Sequence, residues 1–586
     1  MSRPGFRLTS WTTGAVVVAA GACLTACVQV PDAGPVVQAR EPVQTAPIDN
    51  PYNNPPPPTP GASASRIVTG FLDAMTATPL QTRVARKYLT NAGQSVWEPE
   101  QGVVAYSGLR PPHGTTTVRT RLRGADRIGP AGQWLGPVSR AASRLTFPMR
   151  KENGEWRIAS APNALLVPRT FYEQSFQDAS LYFFDPTGRI LVPEVVHMPQ
   201  GQQLITALVH GLLLGPRPSL TGVVRTFVPP GLDVDPLVVR NGTAAVILSG
   251  PDPGLLSATT TRLMLSQLAW TLRQDPSVST FTLTIAGRTI TDSTGASKFS
   301  VNGSAFNDYD PAAARASSQV YALRRGRLVS GPVTKLTSVN GPFGTKRTGI
   351  GPFAVSLDST QLAGVTPTSL LVGGIVLGSS EPETVLDGPG LLRPSWDFAH
   401  RLWEIRNDPE DGAAVLYVAK GHQHTLRVRG ITGENVRRFI VSRDGSRIIA
   451  VLRGAERDNI VASRIRYDAS GRAIGASRAK PIQWVSSGTT RIRDIGWTSP
   501  TTIAVLDQLS VSQAEVRILN VDGSTRADQA SPTLISGRVR ALVGSPDQPP
   551  FAVLPTGLQA LSQGESQIVP NRQIPTEDLH HLTYAG

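Results

Sequence analysis

A multidomain chain, with two α+β units followed by an all-β propeller, is what this sequence predicts. Three observations carry that expectation. The chain has 586 residues with 40% hydrophobic content, too many for one core and enough for three or four domains. Up to about residue 292, apolar positions switch between helical and strand spacing within two successive stretches. Beyond about residue 315 helical patterns become rare, and one short phrase recurs ahead of apolar strands at steps of a few tens of residues.

Residues 1–26 form the first element. Arg3 and Arg7 supply a positive start, and residues 12–24 carry no charge. A span needs about 20 apolar residues, so this shorter run predicts a secretory signal rather than a membrane helix. It ends in Leu24-Thr25-Ala26-Cys27, small residues before a cysteine. That arrangement resembles a bacterial lipobox, in which Cys27 would carry S-diacylglycerol and N-palmitoyl groups and become the mature N-terminus. An ordinary secretory signal with an incidental cysteine is the plainer reading. Against it, Cys23 lies in the discarded leader, which leaves Cys27 as the one thiol of the exported chain. One acyl chain holds a membrane only marginally, whereas several hold it durably. The expected location is therefore the outer face of the cytoplasmic membrane.

Loss of Arg3 and Arg7 with the leader lowers the net charge from +14 to +12. No long Lys/Arg block accompanies this excess, and export removes the chain from nucleic acid. Proximity to anionic lipid or acidic wall polymer fits better, at about 1 kcal/mol per basic residue near a bilayer; arginine enrichment in a GC-rich genome is the bland account. With one mature cysteine, no intramolecular disulfide is available.

Residues 27–64 read as the lipidated cysteine and a tether. Pro31, Pro35, Pro42, Pro47 and Pro51 lead to Pro55-Pro56-Pro57-Pro58 and Pro60, a composition that favours extended polyproline II over a core. At about 3.1 Å per residue, such a segment reaches on the order of 100 Å. A proline ligand for an aromatic groove is the sharper alternative, and a spacer is preferred.

Residues 65–175 open with Ile67, Val68, Phe71, Leu72 and Met75 at helical spacing, then Val84 and Tyr88. Alternating segments follow at 115–122 and 145–149, and Asn153-Gly154 turns the chain into Trp156-Arg157-Ile158. Helices first and a curved sheet afterwards suggest an NTF2-like α+β cone. Trp97 and Trp156 are candidates to line its pocket, with core or rim packing as the preferred role.

Residues 180–292 form the second unit. Leu181-Tyr182-Phe183-Phe184 is a strand, turned by Asp185-Pro186-Thr187-Gly188 into Ile190-Leu191-Val192-Pro193. Leu204, Ile205, Leu208, Leu212 and Leu213 make one helix face, stopped at Gly215-Pro216. Asn241-Gly242 joins two strands, residues 263–272 make a second helix bearing Gln267 and Trp270, and 281–285 is a closing strand.

From 315 to 586 the phrase is apolar, Ser, any residue, Asp, then an apolar strand. It stands as Val355-Ser356-Leu357-Asp358 and Val441-Ser442-Arg443-Asp444, with Pro394-Ser395-Trp396-Asp397 a weaker copy between them, the Asp residues 39 and 47 positions apart. Further weaker copies are Trp497-Thr498-Ser499-Pro500 and Gly544-Ser545-Pro546-Asp547. Four-stranded blades need roughly 40–50 residues, so the stretch accommodates about six. A β-sandwich is the rival architecture.

Catalytic signatures are missing. There is no Gly-x-Ser-x-Gly, His-Glu-x-x-His or Cys-x-x-Cys. Gly341-Pro342-Phe343-Gly344-Thr345-Lys346-Arg347-Thr348 lacks the Gly-Lys of a phosphate loop. His422 and His424 share a strand face but have no third ligand nearby, so an exposed loop is preferred over a metal site, and His580-His581 reads the same way. Glu381 and Glu383 lie among prolines with nothing to hold them at catalytic separation. No cofactor is expected.

Taken together, the order of these motifs resembles the LpqB lipoproteins of actinobacteria. The likeness rests on the lipobox, the tether, Ala85-Arg86-Lys87-Tyr88-Leu89, Gly154-Glu155-Trp156-Arg157-Ile158, Leu181-Tyr182-Phe183-Phe184-Asp185, Gly215-Pro216-Arg217 and Gln267-Leu268-Ala269-Trp270-Thr271-Leu272. The resemblance implies a GerMN fold for the second unit and a non-enzymatic role beside the extracellular part of an MtrB-like sensor kinase, whose regulator MtrA governs wall and division genes. It transfers only Cys27, as the lipid-bearing residue. A passive binder of wall polymer or a small ligand, or a wall-directed hydrolase, are the alternatives.

Overall fold

A computed structural model describes residues 53–313, 316–484, 491–525, 532–561 and 576–586. The leader, Cys27 and most of the tether lie outside them.

The first unit begins with α1 (Ala64–Asp73). Its N-terminus is capped by Ser63, whose hydroxyl accepts from the Arg66 amide, and its apolar stripe Ile67, Val68, Phe71 and Leu72 is buried. That stripe lies on a sheet of β1 (Val103–Leu109), β2 (Thr117–Ile128), β3 (Trp134–Pro137), β4 (Arg144–Glu152), β5 (Glu155–Ile158) and β6 (Leu165–Pro168), in the order β5-β4-β2-β1-β6 with β3 also on β2. β6 runs parallel to β1; the other pairs are antiparallel. Asn153 and Gly154, at φ 52° and 81°, make the tight turn between β4 and β5. The proline run lies against this unit: Pro55 is buried, and Tyr88 Oη donates to the Pro56 carbonyl at 2.9 Å. Polyproline II leaves its carbonyls unpaired, which is why a tyrosine can hold one.

A helix, α2 (Arg169–Ser175), leads into the hairpin of β7 (Phe176–Phe184) and β8 (Leu191–Pro199). The second unit adds α3 (Leu204–Leu213), β9 (Thr243–Ser249), α4 (Ala258–Leu272) and β10 (Thr280–Ile285). β9 and β10 are parallel, so α4 is their crossover helix. Gln267 is fully buried on α4; its side chain donates to Tyr182 O and accepts from the Phe227 amide, tying helix to hairpin.

From Val320 onward, the described residues form six small sheets. Their innermost strands are β11 (Phe353–Val355), β12 (Ser395–Trp396), β13 (Val436–Val441), β14 (Ile492–Ser499), β15 (Ala541–Ser545) and β16 (Leu579–Tyr584). Each lies beside the next, and β16 meets both β15 and β11, so the ring is closed. The architecture is a propeller, not a sandwich. β16 joins the sheet of Val320–Arg324, Arg327–Gly331 and Thr337–Ser338, so the far end of the chain completes the first blade.

The recurring phrase is the turn out of the innermost strand in the second to sixth blades. Asp358, Asp397 and Asp444 each accept from the amide two residues on, and Ser356 and Ser442 accept from the amide five residues on. Short polar side chains thus satisfy the backbone of a tight turn. The first blade lacks the phrase because its innermost and second strands are far apart in sequence.

Candidate functional site

The residues singled out as possible chemistry are dispersed. Cys27 falls outside the described residues. Trp97 is core, donating its indole N–H to Pro162 O at 2.8 Å, while Trp156 is half-buried at the sheet edge with Lys151 5.3 Å from its ring. Pro342–Thr345 is a one-turn helix; Phe343 is buried and a Cβ on Gly344 would strike Val339 O, so no phosphate cradle exists there. Glu381 pairs with Lys346. His422 and His424 occupy a strand, His422–Leu426, instead of a loop, and His424 stacks on Tyr417 at 4.7 Å. His580 and His581 are likewise on β16, not in a loop. Among the described residues, no group of three His, Cys, Asp or Glu side chains is placed to hold a metal.

What the fold does assemble is a charged junction between the β7–β8 hairpin and the propeller. β8 is buried on both faces from Leu191 to Met198. Leu191, Val192, Val196 and Met198 pack into the second unit, while Val195 inserts among Ile449, Ile460, Ile492 and Trp497 of the ring. Between them Glu194 meets three arginines: Arg464 Nη2 at 2.5 Å, Arg447 Nη2 at 3.4 Å and Arg217 Nη2 at 3.8 Å. Arg447 also donates to Pro193 O, and its side chain is 1% exposed. Burial and the neighbouring Arg447 pull Arg464 down to about 10, against the opposing pull of Glu194. Charges this deep persist only when paired and hydrogen-bonded.

A second contact lies along the same hairpin. His197 Nδ1 is 2.9 Å from Asp178 Oδ1, and its backbone amide donates to Gly132 O of the first unit. Asp178 Oδ2 accepts from Asn520 of the fifth blade at 2.9 Å. The Tyr172 ring lies 6.1 Å from the imidazole. Burial lowers the affinity of His197 for a proton, but the hydrogen bond to Asp178 and the charges of Asp522, Asp178 and Asp126 leave it raised. Three units therefore meet at one hairpin.

The ring's axis is stopped at the turn end by Arg443, the residue occupying the unspecified position of the phrase. Its guanidinium donates to Ala312 O, Asp547 Oδ1, Ser545 Oγ and Ala585 O at 2.7–2.8 Å, across blades four, six and one. At the opposite end the innermost strands carry extra residues at Arg437, Arg493 and His581-Leu582, where the register shifts. Such bulges re-aim side chains at barrel rims. Arg438 approaches Asp494 at 3.6 Å there, and Arg393 reaches Thr583. Burial, Arg393, His580 and Arg438 press His581 down to about 4, so it is neutral at pH 7.

These features define a class: a multidomain propeller protein whose α+β units are bonded to the ring by one hairpin. Among the described residues, no helix is long and apolar enough to cross a membrane. Family models match in series: Lipoprotein LpqB, N-terminal domain, at residues 57–173; Sporulation and spore germination at 180–291; and Lipoprotein LpqB beta-propeller domain at 326–553. The chain belongs to the LpqB lipoprotein family. It is similar to Lipoprotein LpqB of Thermobifida fusca, 26% identical over 90% of this chain and 92% of the relative. The Lipoprotein LpqB of Cutibacterium acnes is 27% identical over 95% of each. Against TolB from Acinetobacter baumannii the TM-score is 0.32, with 13% identity over 61% of this chain and 99% of that one.

Proposed function

We propose that this lipoprotein is held by acylated Cys27 on the outer face of the cytoplasmic membrane and binds the extracellular part of an MtrB-like sensor kinase. The single observation that best supports this reading is the junction around Glu194. Buried ion pairs join the GerMN unit to the ring, so a partner touching either one meets a rigid body and not a flexible string. Anchoring confines both proteins to one layer and raises their effective concentration, so a weak interface suffices. Modulation additionally requires that one kinase conformation be bound better than another.

Two measurements test this. Cys27→Ala shifts the protein from the membrane to the soluble fraction; an unchanged membrane fraction overturns the anchor. Binding of the kinase's purified outer domain to the full chain in neutral detergent is expected at micromolar concentration, and its absence at high micromolar concentration overturns the partnership.

A further inference from the structure

We propose that the solvent face of the first unit's sheet is a binding site for phosphate groups, built from Arg110, Arg121, Arg123 and Arg140. The alternation of β2 produces it: Val118, Thr120 and Leu122 point inward and are buried, which turns Arg119, Arg121 and Arg123 outward. Antiparallel pairing then sets arginines side by side. The Arg110 amide donates to Arg121 O at 3.0 Å on one flank, and Arg144 is the register partner of Arg121 on the other. Adjacent strands lie about 4.8 Å apart, and like charges directly opposite one another repel.

Arg110, Arg121, Arg123 and Arg140 line one open cavity of about 390 Å³, together with Ser143 and the backbone of Gly124. That volume falls within the roughly 300–1,000 Å³ of small-ligand sites. No carboxylate lines it. Asp126, the acid further along β2, is already held by Arg169 at 2.5 Å. Among the described residues, none of the four guanidiniums has a carboxylate partner or a hydrogen-bond acceptor. Four uncompensated cations in one groove are mutually repulsive until an anion enters. Arginine's planar fork pairs two N–H donors with two phosphate oxygens, a fit that multiplies along a ligand with several phosphates. The site is remote in sequence from the Glu194 junction and holds whether or not a kinase is bound.

The full chain in neutral detergent is titrated calorimetrically with tripolyphosphate and, separately, with glycerophosphoglycerol, the deacylated headgroup of phosphatidylglycerol. Saturable binding of one ligand per chain is expected, weakened at least about tenfold by R121E/R123E and largely kept by R121K/R123K. The exposed control Arg478→Glu leaves it unchanged. Tighter binding of tripolyphosphate identifies a multi-phosphate chain as the source, and comparable binding of glycerophosphoglycerol identifies the lipid headgroup. Absence of binding by both ligands at millimolar concentration, or equal binding by R121E/R123E with an unaltered melting curve, overturns the proposal.

Discussion

Glu194 of β8 and Arg464 of the fourth blade meet at 2.5 Å in the buried seam between the GerMN unit and the propeller, with Arg447 on the same carboxylate oxygen at 3.4 Å. One acid thus compensates two deeply placed guanidiniums. Glu194→Met leaves Arg464 without its acid and Arg447 with Asp444 alone, 4.0 Å away. Breaking a buried pair on one side costs about 3–5 kcal/mol. The expected result is a marked fall in the calorimetric transition that contains the seam. Replacing all three together, Glu194→Met with Arg447→Met and Arg464→Leu, costs less than Glu194→Met alone, because neither deeply buried guanidinium is left without its acid. If the triple variant is the less stable, packing rather than charge governs the seam.

His197 and Asp178 make the same hairpin sensitive to pH. The imidazole's folded-state value lies above the ordinary 6.5, because its hydrogen bond to Asp178 and the surrounding carboxylates outweigh burial. A raised folded value contributes stability in full below pH 6.5, lost as pH rises through that value. Asp522, raised chiefly by burial, acts in the same direction, since its ionisation in the folded state is penalised. The difference in melting temperature between the parent chain and His197→Gln is therefore largest near pH 6 and shrinks towards pH 9. A difference that is flat across that range excludes a charged His197–Asp178 pair.

The legible parts of the chain were those in which local spacing carries the physics. Helix faces such as Ile67, Val68, Phe71 and Leu72, hairpins at Asn153-Gly154 and Asn241-Gly242, and the Ser-x-Asp turns are set by residues within a few positions of one another. The junction was not legible. Glu194 and His197 are polar residues in an apolar run, three apart and so on opposite faces of the strand, yet both are buried: the Arg447 and Arg464 that receive Glu194 lie more than 250 residues away in sequence, and Asp178, which receives His197, is itself held by Asn520 of the fifth blade. Arg443 was hidden for another reason: its neighbours Ser442 and Asp444 define the turn, and the position between them tolerates any side chain locally. Only ring closure brings Ser545, Asp547 and Ala585 to it. The arginine groove showed in the sequence as alternation in β2, but its flanks at Arg110 and Arg140 depend on strand pairing.

Gly70 offers a test in which two effects of opposite sign compete. It sits within α1, where alanine is favoured over glycine by about 1 kcal/mol on backbone grounds alone. Here, however, a Cβ would lie 2.6 Å from both Cε1 and Oη of Tyr88, the ring that holds Pro56. Overpacking a filled core costs typically 1–3 kcal/mol, and losing the tyrosine's hydrogen bond costs about 1 kcal/mol more. Gly70→Ala is therefore expected to destabilise the first unit by about 1–3 kcal/mol net and to speed proteolysis within residues 53–60. Tyr88→Phe costs only about 1 kcal/mol, because it removes the hydrogen bond and leaves the packing. Should Gly70→Ala instead raise the melting temperature, helix propensity outweighs the clash and Tyr88 does not pin the proline segment against the unit.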